Sequence, residues 1–133
     1  MSEWIYNGTF FNEDITSYAG FVYIITNKIN GRKYIGKKFF WATKRKQVNK
    51  KRKSYKVESD WREYWSSSDE VKAEVQAIGT ENFTREIIHL CSNKGTTNYL
   101  EAKEQFVQGV LENKELWYNS WISVKVHRSH IKK

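Results

Sequence analysis

Two β-rich runs with an Asn-Gly pair between them constrain the fold of this chain more than any other feature of its sequence. Residues 21–26 and 32–36 are rich in β-branched and aromatic side chains, and Asn30-Gly31 lies between the two runs. Asn-Gly is a strong hairpin signal, because both residues accept a positive φ at little cost. The sequence therefore predicts an antiparallel β-hairpin over residues 20–36.

The chain after this hairpin predicts a helix and a third strand. Residues 66–70 are typical of a helix start, apolar residues follow at helical spacing, and Gly79 is placed to end the helix. Residues 83–91 alternate in polarity, which predicts a strand. Upstream of both, a further helix is expected to begin near Phe40 and to give way to an exposed loop around 49–54.

A long helix is expected from Thr97 or Asn98 to about Glu112, because Asn98 and Glu101 have the spacing of a capping box. Its apolar face would carry Leu100, Ala102, Phe106, Val107, Val110 and Leu111. These elements predict an α/β (α+β) fold, with a small three-stranded antiparallel sheet flanked by helices.

The length and charge of the chain limit its organisation and its partners. The 133 residues suit a single domain, with a lead-in at 1–19, a core at 20–120 and a basic tail at 121–133. The net charge of +8 favours a polyanionic partner, which is DNA, RNA or an acidic membrane surface. No apolar run is long enough to cross a membrane, and a single cysteine excludes an intrachain disulfide. A cytoplasmic protein that acts on nucleic acid is expected.

The positive charge is concentrated in one part of the chain. Residues 28–56 hold 13 of the 23 lysines and arginines, and no acidic residue lies between Asp14 and Glu58. Lysine and arginine contacts to phosphate position a nucleic acid without reading its sequence. The side chains expected to bind DNA in this way are Lys38, Lys44, Lys46, Lys50, Lys51, Arg52 and Lys53.

The hairpin resembles the paired motif of the GIY-YIG nuclease superfamily. Tyr23 stands on the first strand and Tyr34-Ile35-Gly36 on the second, although Phe21 replaces the leading Gly of the first half. The match continues with Arg45, Glu104 and Asn119 in the order that the superfamily shows. The stretches around Lys37 and Glu101 also resemble small free-standing nucleases encoded by tailed phages.

The resemblance implies an endonuclease that cuts double-stranded or branched DNA with Mg²⁺ or Mn²⁺, as a monomer or a homodimer. Glu104 would hold the metal ion, and Glu101, one helical turn away, is its rival. The residues expected in the catalytic site are Tyr23, Tyr34, Gly36, Lys37, Arg45, Glu104 and Asn119. Some members carry a His or Tyr four residues after the Arg, where this chain has Asn49, so that role is either missing or taken by Tyr55 or Tyr64.

Phosphodiester hydrolysis explains these residue types. A hard cation on a carboxylate neutralises the phosphate and assists the leaving oxygen, and arginine or lysine steadies the phosphate. A tyrosine with a pKa of about 10 is a weak base, so Lys37, Arg45 and the metal ion are expected to lower the pKa of Tyr23 or Tyr34. Either tyrosine would act as base, and the other would orient it.

Each of these residues also has a purely structural interpretation. Aromatic residues on strands usually pack against their neighbours, and Asn119 would serve to pin the end of the chain. The alternative function is therefore a catalytically inactive, basic nucleic-acid-binding module on the same scaffold. A structural phage component with a basic surface is a third possibility.

Overall fold

A five-stranded sheet and a separate two-stranded hairpin make up the β structure. The computed structural model describes residues 3–124 and 127–130, so residues 1–2 of the expected lead-in and residues 125–126 and 131–133 of the expected tail lie outside the described residues. The strands are β1 (Trp4–Tyr6), β2 (Thr9–Phe10), β3 (Gly20–Asn27), β4 (Lys33–Phe39), β5 (Trp41–Val48), β6 (Lys51–Glu58) and β7 (Phe83–Cys91). The α-helices are α1 (Asp69–Ile78) and α2 (Lys94–Gln108), and short 3-10 helices lie at Trp61–Glu63, Thr80–Asn82 and Arg128–His130.

The predicted β3–β4 hairpin and the third strand are confirmed. β3 pairs antiparallel with β4 on one side and with β7 on the other. The connection is wider than a two-residue turn, because the Asn27 N–H donates to the Arg32 carbonyl at 2.8 Å. Gly31 has a φ of 77°, whereas Asn30 is not left-handed. The Asn-Gly pair therefore marks the turn, and Gly31 alone supplies its positive φ.

The sheet has two more strands than the sequence predicts. Its order is β2-β1-β7-β3-β4, in which β1 runs parallel to β7 and β2 antiparallel to β1. The expectation of three strands is wrong because Trp4 of β1 pairs with Arg85 of β7, and a partner so distant in sequence leaves no local signal. The α+β class is confirmed.

A second hairpin occupies the region where the sequence predicts a helix and a loop. β5 and β6 pair without interruption from Trp41 opposite Glu58 to Val48 opposite Lys51. Asn49 and Lys50 close the turn with φ angles of 50° and 64°, the left-handed pair that fits the twist of a two-residue hairpin. The expectation of a helix near Phe40 is wrong, because the backbone N–H and C=O groups of β5 pair with those of β6 across the hairpin and not along a helix.

The helix α1 is confirmed, whereas α2 begins and ends earlier than expected. Asn93 caps α2, its Oδ1 accepting the Thr96 N–H at 2.8 Å, and Gly109 ends the helix in the left-handed conformation. The expected apolar face is wrong in part. Phe106, Val107 and Leu111 are exposed, because the side of α2 that packs on the sheet carries Thr97 and Gln105 beside the expected Ala102.

The two faces of the five-stranded sheet carry separate cores. One cluster holds Phe21, Tyr23, Ile25, Phe83 and Ile87 together with Val71 and Val75 of α1. The other holds Val22, Ile35, Val110 and Trp117, with Leu100 of α2 at its margin. β4 is therefore an edge strand with packed side chains on both faces. No helix within the described ranges combines the length and apolarity needed to cross a membrane.

Replacing Ser68 by alanine is expected to reduce the free energy of unfolding by about 1 kcal/mol. The Ser68 hydroxyl caps α1, accepting the Val71 N–H at 3.3 Å, and alanine offers that N–H no partner. Urea unfolding followed by circular dichroism would measure the change. Ser68→Asp is the control, since aspartate also caps helices, and an equal loss in both variants would contradict the capping role.

Candidate active site

Two phenol rings lie over Gly36 on one face of the β3–β4 hairpin. Tyr23 is directly opposite Gly36 in the register, and the ring centroids of Tyr23 and Tyr34 are 6.3 Å apart. A Cβ atom on residue 36 would lie 2.7 Å from Tyr23 Cζ and 2.9 Å from Tyr34 Cε2. Gly36 is therefore required by the close approach of the two rings, since its φ is not in the left-handed region.

These rings border a cavity of about 450 Å³ at the edge of β4. Tyr64, from the segment after β6, adds a third ring, 6.1 Å from Tyr23 and nearly perpendicular to it. The Nζ of Lys38 lies 4.1 Å from the centroid of the Tyr64 ring. The lining residues are Tyr23, Tyr34, Lys37, Lys38, Phe39, Trp41, Ala42, Ser59, Tyr64, Ser67 and Glu101.

Glu101 is the only carboxylate among the described residues that line this cavity. Its Oε1 lies 3.2 Å from Lys37 Nζ, and the carboxylate also accepts a hydrogen bond from the Lys37 backbone. Burial raises the pKa of Glu101, and Lys37 opposes that shift. The helix α2 thus delivers one acidic group to the edge of β4.

Glu104, the residue expected to hold a metal ion, does not line the cavity. Its Oε1 lies 3.6 Å from Nε2 of His89 on β7. The physical reason is the helical step, because three residues advance about 4.5 Å along α2 and change the direction of the side chain by about 60°. Of the two carboxylates that the sequence offered as metal ligands, Glu101 is the one that lines this cavity.

The expected arginine also lies outside the cavity. Arg45 is exposed on β5, opposite Ser54, and not on a helix. The cations that line the cavity are Lys37 and Lys38. Apart from Lys38, the expected DNA-binding residues all belong to the β5–β6 hairpin or its turn.

The pKa values of the two tyrosines are shifted in the opposite direction from the one expected. Burial raises the pKa of Tyr23 well above its usual value, and Tyr64, Tyr34 and Glu101 add to the shift. Burial also raises the pKa of Tyr34, although a hydrogen bond with Ser67 opposes it. The expectation of lowered values is wrong for the chain by itself, because desolvation is the largest cause of both shifts.

Asn119 holds the free edge of β4 in the manner of a neighbouring strand. Its Oδ1 accepts the Ile35 N–H at 3.0 Å, and its Nδ2 donates to the Ile35 carbonyl at 2.8 Å. Gln105 of α2 donates to the same carbonyl at 3.0 Å. Asn119 therefore fixes the strand that carries Tyr34, Gly36 and Lys37 without lining the cavity itself.

Two residues that build or support the site, Ser67 and Gln105, were not predicted from the sequence, and a third, Tyr64, was one of two alternatives. Tyr64 lines the cavity, whereas Tyr55 is exposed on β6. Ser67, whose hydroxyl lies 3.4 Å from that of Tyr34, gave no signal beyond its place at a helix start. Gln105 is a buried polar residue in a helix, and its partner on β4 is not visible in the sequence.

Comparison with known proteins adds one finding. The family model described as "Putative endonuclease segE, GIY-YIG domain" matches residues 4–122. No curated protein and no solved structure matches the chain.

Proposed function

This chain belongs to the GIY-YIG family of putative segE endonucleases, and from that premise we propose that it hydrolyses DNA phosphodiester bonds with the help of a divalent metal ion. The observation that carries the proposal is the cavity at the edge of β4, where phenol groups, one carboxylate and two lysines meet. The strongly cationic β5–β6 hairpin begins at the rim of this cavity, since Trp41 and Ala42 line it.

Glu101 is our proposed metal ligand in place of Glu104. No three His, Cys, Asp or Glu side chains cluster within the described ranges, and Glu101 is the one carboxylate among the described residues that line the cavity. A single carboxylate fits Mg²⁺ or Mn²⁺, because Mg²⁺ usually keeps several waters and is bound by one or two carboxylates plus substrate phosphate. Such an ion would neutralise the phosphate and assist the leaving oxygen. Lys37 would exchange its contact with Glu101 for one with the phosphate.

The other residues of the cavity have distinct proposed roles. Tyr34 is partly exposed and Tyr23 is 1% exposed, so Tyr34 is the phenol that reaches the attacking water, and Tyr23 orients it. Lys37 and Lys38 steady the phosphate as point charges. Asn119 acts only through β4, and Arg45, which lies on the β5–β6 hairpin outside the cavity, has no proposed catalytic role.

The remaining expectations stay predictions from the sequence. These are the single-domain organisation over residues 1–133, the monomeric or dimeric state, the phage origin, the cytoplasmic location and the preference for double-stranded or branched DNA. None of them enters the roles proposed for the cavity residues.

We expect Glu101→Gln to abolish cleavage of supercoiled plasmid in Mg²⁺ or Mn²⁺, because the amide removes the anionic metal ligand while keeping the shape of the side chain. Glu104→Gln is the matched control on the same helix and is expected to cut like the wild type. EDTA should stop the wild type. Calorimetry with Mn²⁺ alone should show a site that Glu101→Gln loses and Glu104→Gln keeps.

Two outcomes would contradict this assignment. If Glu104→Gln loses cleavage and Glu101→Gln keeps it, the metal ligand is Glu104. If neither variant differs from the wild type, and all three retard DNA without cutting it in any metal, the protein is the inactive binding module instead.

A further inference from the structure

The β5–β6 hairpin has two faces of different composition. Side chains alternate along a strand, and residues directly opposite each other point to the same side. The register therefore defines a lysine face, made of Ala42, Lys44, Lys46, Lys51, Lys53 and Tyr55. It also defines an arginine face, made of Trp41, Thr43, Arg45, Gln47, Arg52, Ser54, Lys56 and Glu58.

Trp41, the first residue of the arginine face, lines both of the cavities beside the hairpin, and the residues that follow it are divided between them. Ala42, at the root of the lysine face, lines the cavity that holds Tyr34 and Glu101. Thr43 and Lys56, at the root of the arginine face, line a separate cavity of about 640 Å³. The lysine face therefore continues from the side of the hairpin that borders the proposed catalytic residues. The ribbon twists along its length. Residues near its root therefore point most directly to the side of the catalytic cavity, and residues nearer the turn are rotated away from that direction.

One pair of lysines on the lysine face is directly opposed across the hairpin, whereas Lys44 is opposite Tyr55. Lys46 lies directly opposite Lys53, and like charges in that position are unfavourable. On the arginine face, each arginine has a neutral partner instead, with Arg45 opposite Ser54 and Arg52 opposite Gln47. Within the part of the chain that the structure describes, the salt bridges all lie outside β5, β6 and their turn except that of Glu58. An anionic partner would relieve the repulsion on the lysine face.

We propose that the lysine face is the surface on which the DNA backbone docks, and that the arginine face points away from the bound duplex. The proposal rests on the proposed function for the identity of the polyanion. An eight-residue strand spans roughly 26 Å, and B-DNA carries one charge per about 1.7 Å of its axis. The face is therefore long enough to follow several phosphates that lead toward the cavity. Lysines contact them as point charges, which predicts affinity without sequence preference.

The test compares two charge-matched variants of the full-length protein in the Glu101→Gln background. Lys46→Gln with Lys53→Gln removes two charges from the lysine face, and Arg52→Gln with Lys56→Gln removes two from the arginine face. Fluorescence anisotropy with a labelled duplex would give the dissociation constant at several salt concentrations. The lysine-face variant is expected to reduce the slope of log K against log salt by about 1.8, since each lost phosphate contact removes about 0.9. The arginine-face variant is expected to change the slope of log K against log salt by less than about 0.5.

Equal changes in the two variants, or a larger change on the arginine face, would overturn the proposal. Circular dichroism melting of both variants tests whether the hairpin is still folded, and a matched pair of melting temperatures makes the binding comparison valid. The same pairs in the Glu101 wild-type background separate this proposal from the proposed function. If plasmid is cleaved but the two variants have equal salt slopes, the docking proposal is wrong and the proposed nuclease activity stands. If the lysine-face variant alone loses salt slope but no metal ion supports cleavage, the docking proposal stands and the proposed nuclease activity is wrong.

Discussion

Gly36→Ala is expected to reduce plasmid cleavage by about 100-fold, because a displacement of about 1 Å at a reacting group costs that much. The new methyl group would overlap the phenol rings of Tyr23 and Tyr34 and push them apart. Overpacking of this kind also lowers the free energy of unfolding by about 1 to 3 kcal/mol. Initial cleavage rates at saturating Mg²⁺, together with urea unfolding, would measure both effects.

Gly31→Ala is the control in the same hairpin. Nothing lies within 4 Å of a Cβ atom at residue 31, and its φ of 77° makes the substitution cost about 1 kcal/mol through backbone strain alone. Gly31→Ala should therefore lose stability but keep its cleavage rate. Adding Tyr23→Phe to Gly36→Ala removes the phenol oxygen that the methyl group meets, so the double variant should recover part of the lost stability. Full cleavage by Gly36→Ala would contradict the crowding argument.

Asn119→Asp is expected to lower the free energy of unfolding by about 3 kcal/mol at pH 7, because it places a charge on a buried position beside the Ile35 carbonyl. Asn119 is 7% exposed and donates to that carbonyl through Nδ2, which an ionised carboxylate cannot do. A protonated carboxyl group can donate there and still accept the Ile35 N–H. Burial would hold the pKa of the new carboxyl group above its unfolded value. The folded variant then binds more protons than the unfolded one, and its stability relative to the wild type rises as the pH falls.

Urea unfolding of the wild type and Asn119→Asp at a series of pH values between 7 and 4 would check this prediction. Asn113→Asp is the matched control, since Asn113 is exposed and only accepts a hydrogen bond, from the Glu115 N–H at 3.0 Å. It should cost almost nothing at any of these pH values. A pH-independent loss in Asn119→Asp would mean that the amide contributes shape rather than a donated hydrogen bond.

Local signals account for the parts of the fold that the sequence predicted correctly. The β3–β4 hairpin follows from an Asn-Gly turn between two β-rich runs, and α1 follows from its serine cap and Gly79. Both depend on residues that are neighbours in the chain. The β5–β6 hairpin was missed because its turn is Asn49-Lys50, and lysine in the left-handed region is not a residue that a turn rule selects.

The candidate site was predictable as a set of residue types but not as a geometry. Tyr23, Tyr34, Gly36 and Lys37 lie on the hairpin that local signals define, and the structure brings them together with Glu101. The choice between Glu101 and Glu104 depends on how α2 lies across the edge of β4. That packing is decided by Gln105 and other residues of α2 against β4, which no spacing along the chain reveals.

The parallel pairing of β1 with β7 also determines when the protein can fold during its synthesis. β1 is translated before every other strand described above, yet Trp4 must wait for Arg85 before its strand can pair. Pairings between residues so distant in sequence form slowly, because the intervening loop must first be closed. The proposed catalytic centre needs still later residues, since Glu101 lies in α2 and Asn119 follows it. A nascent chain therefore stays without a completed centre until Asn119 has left the ribosome.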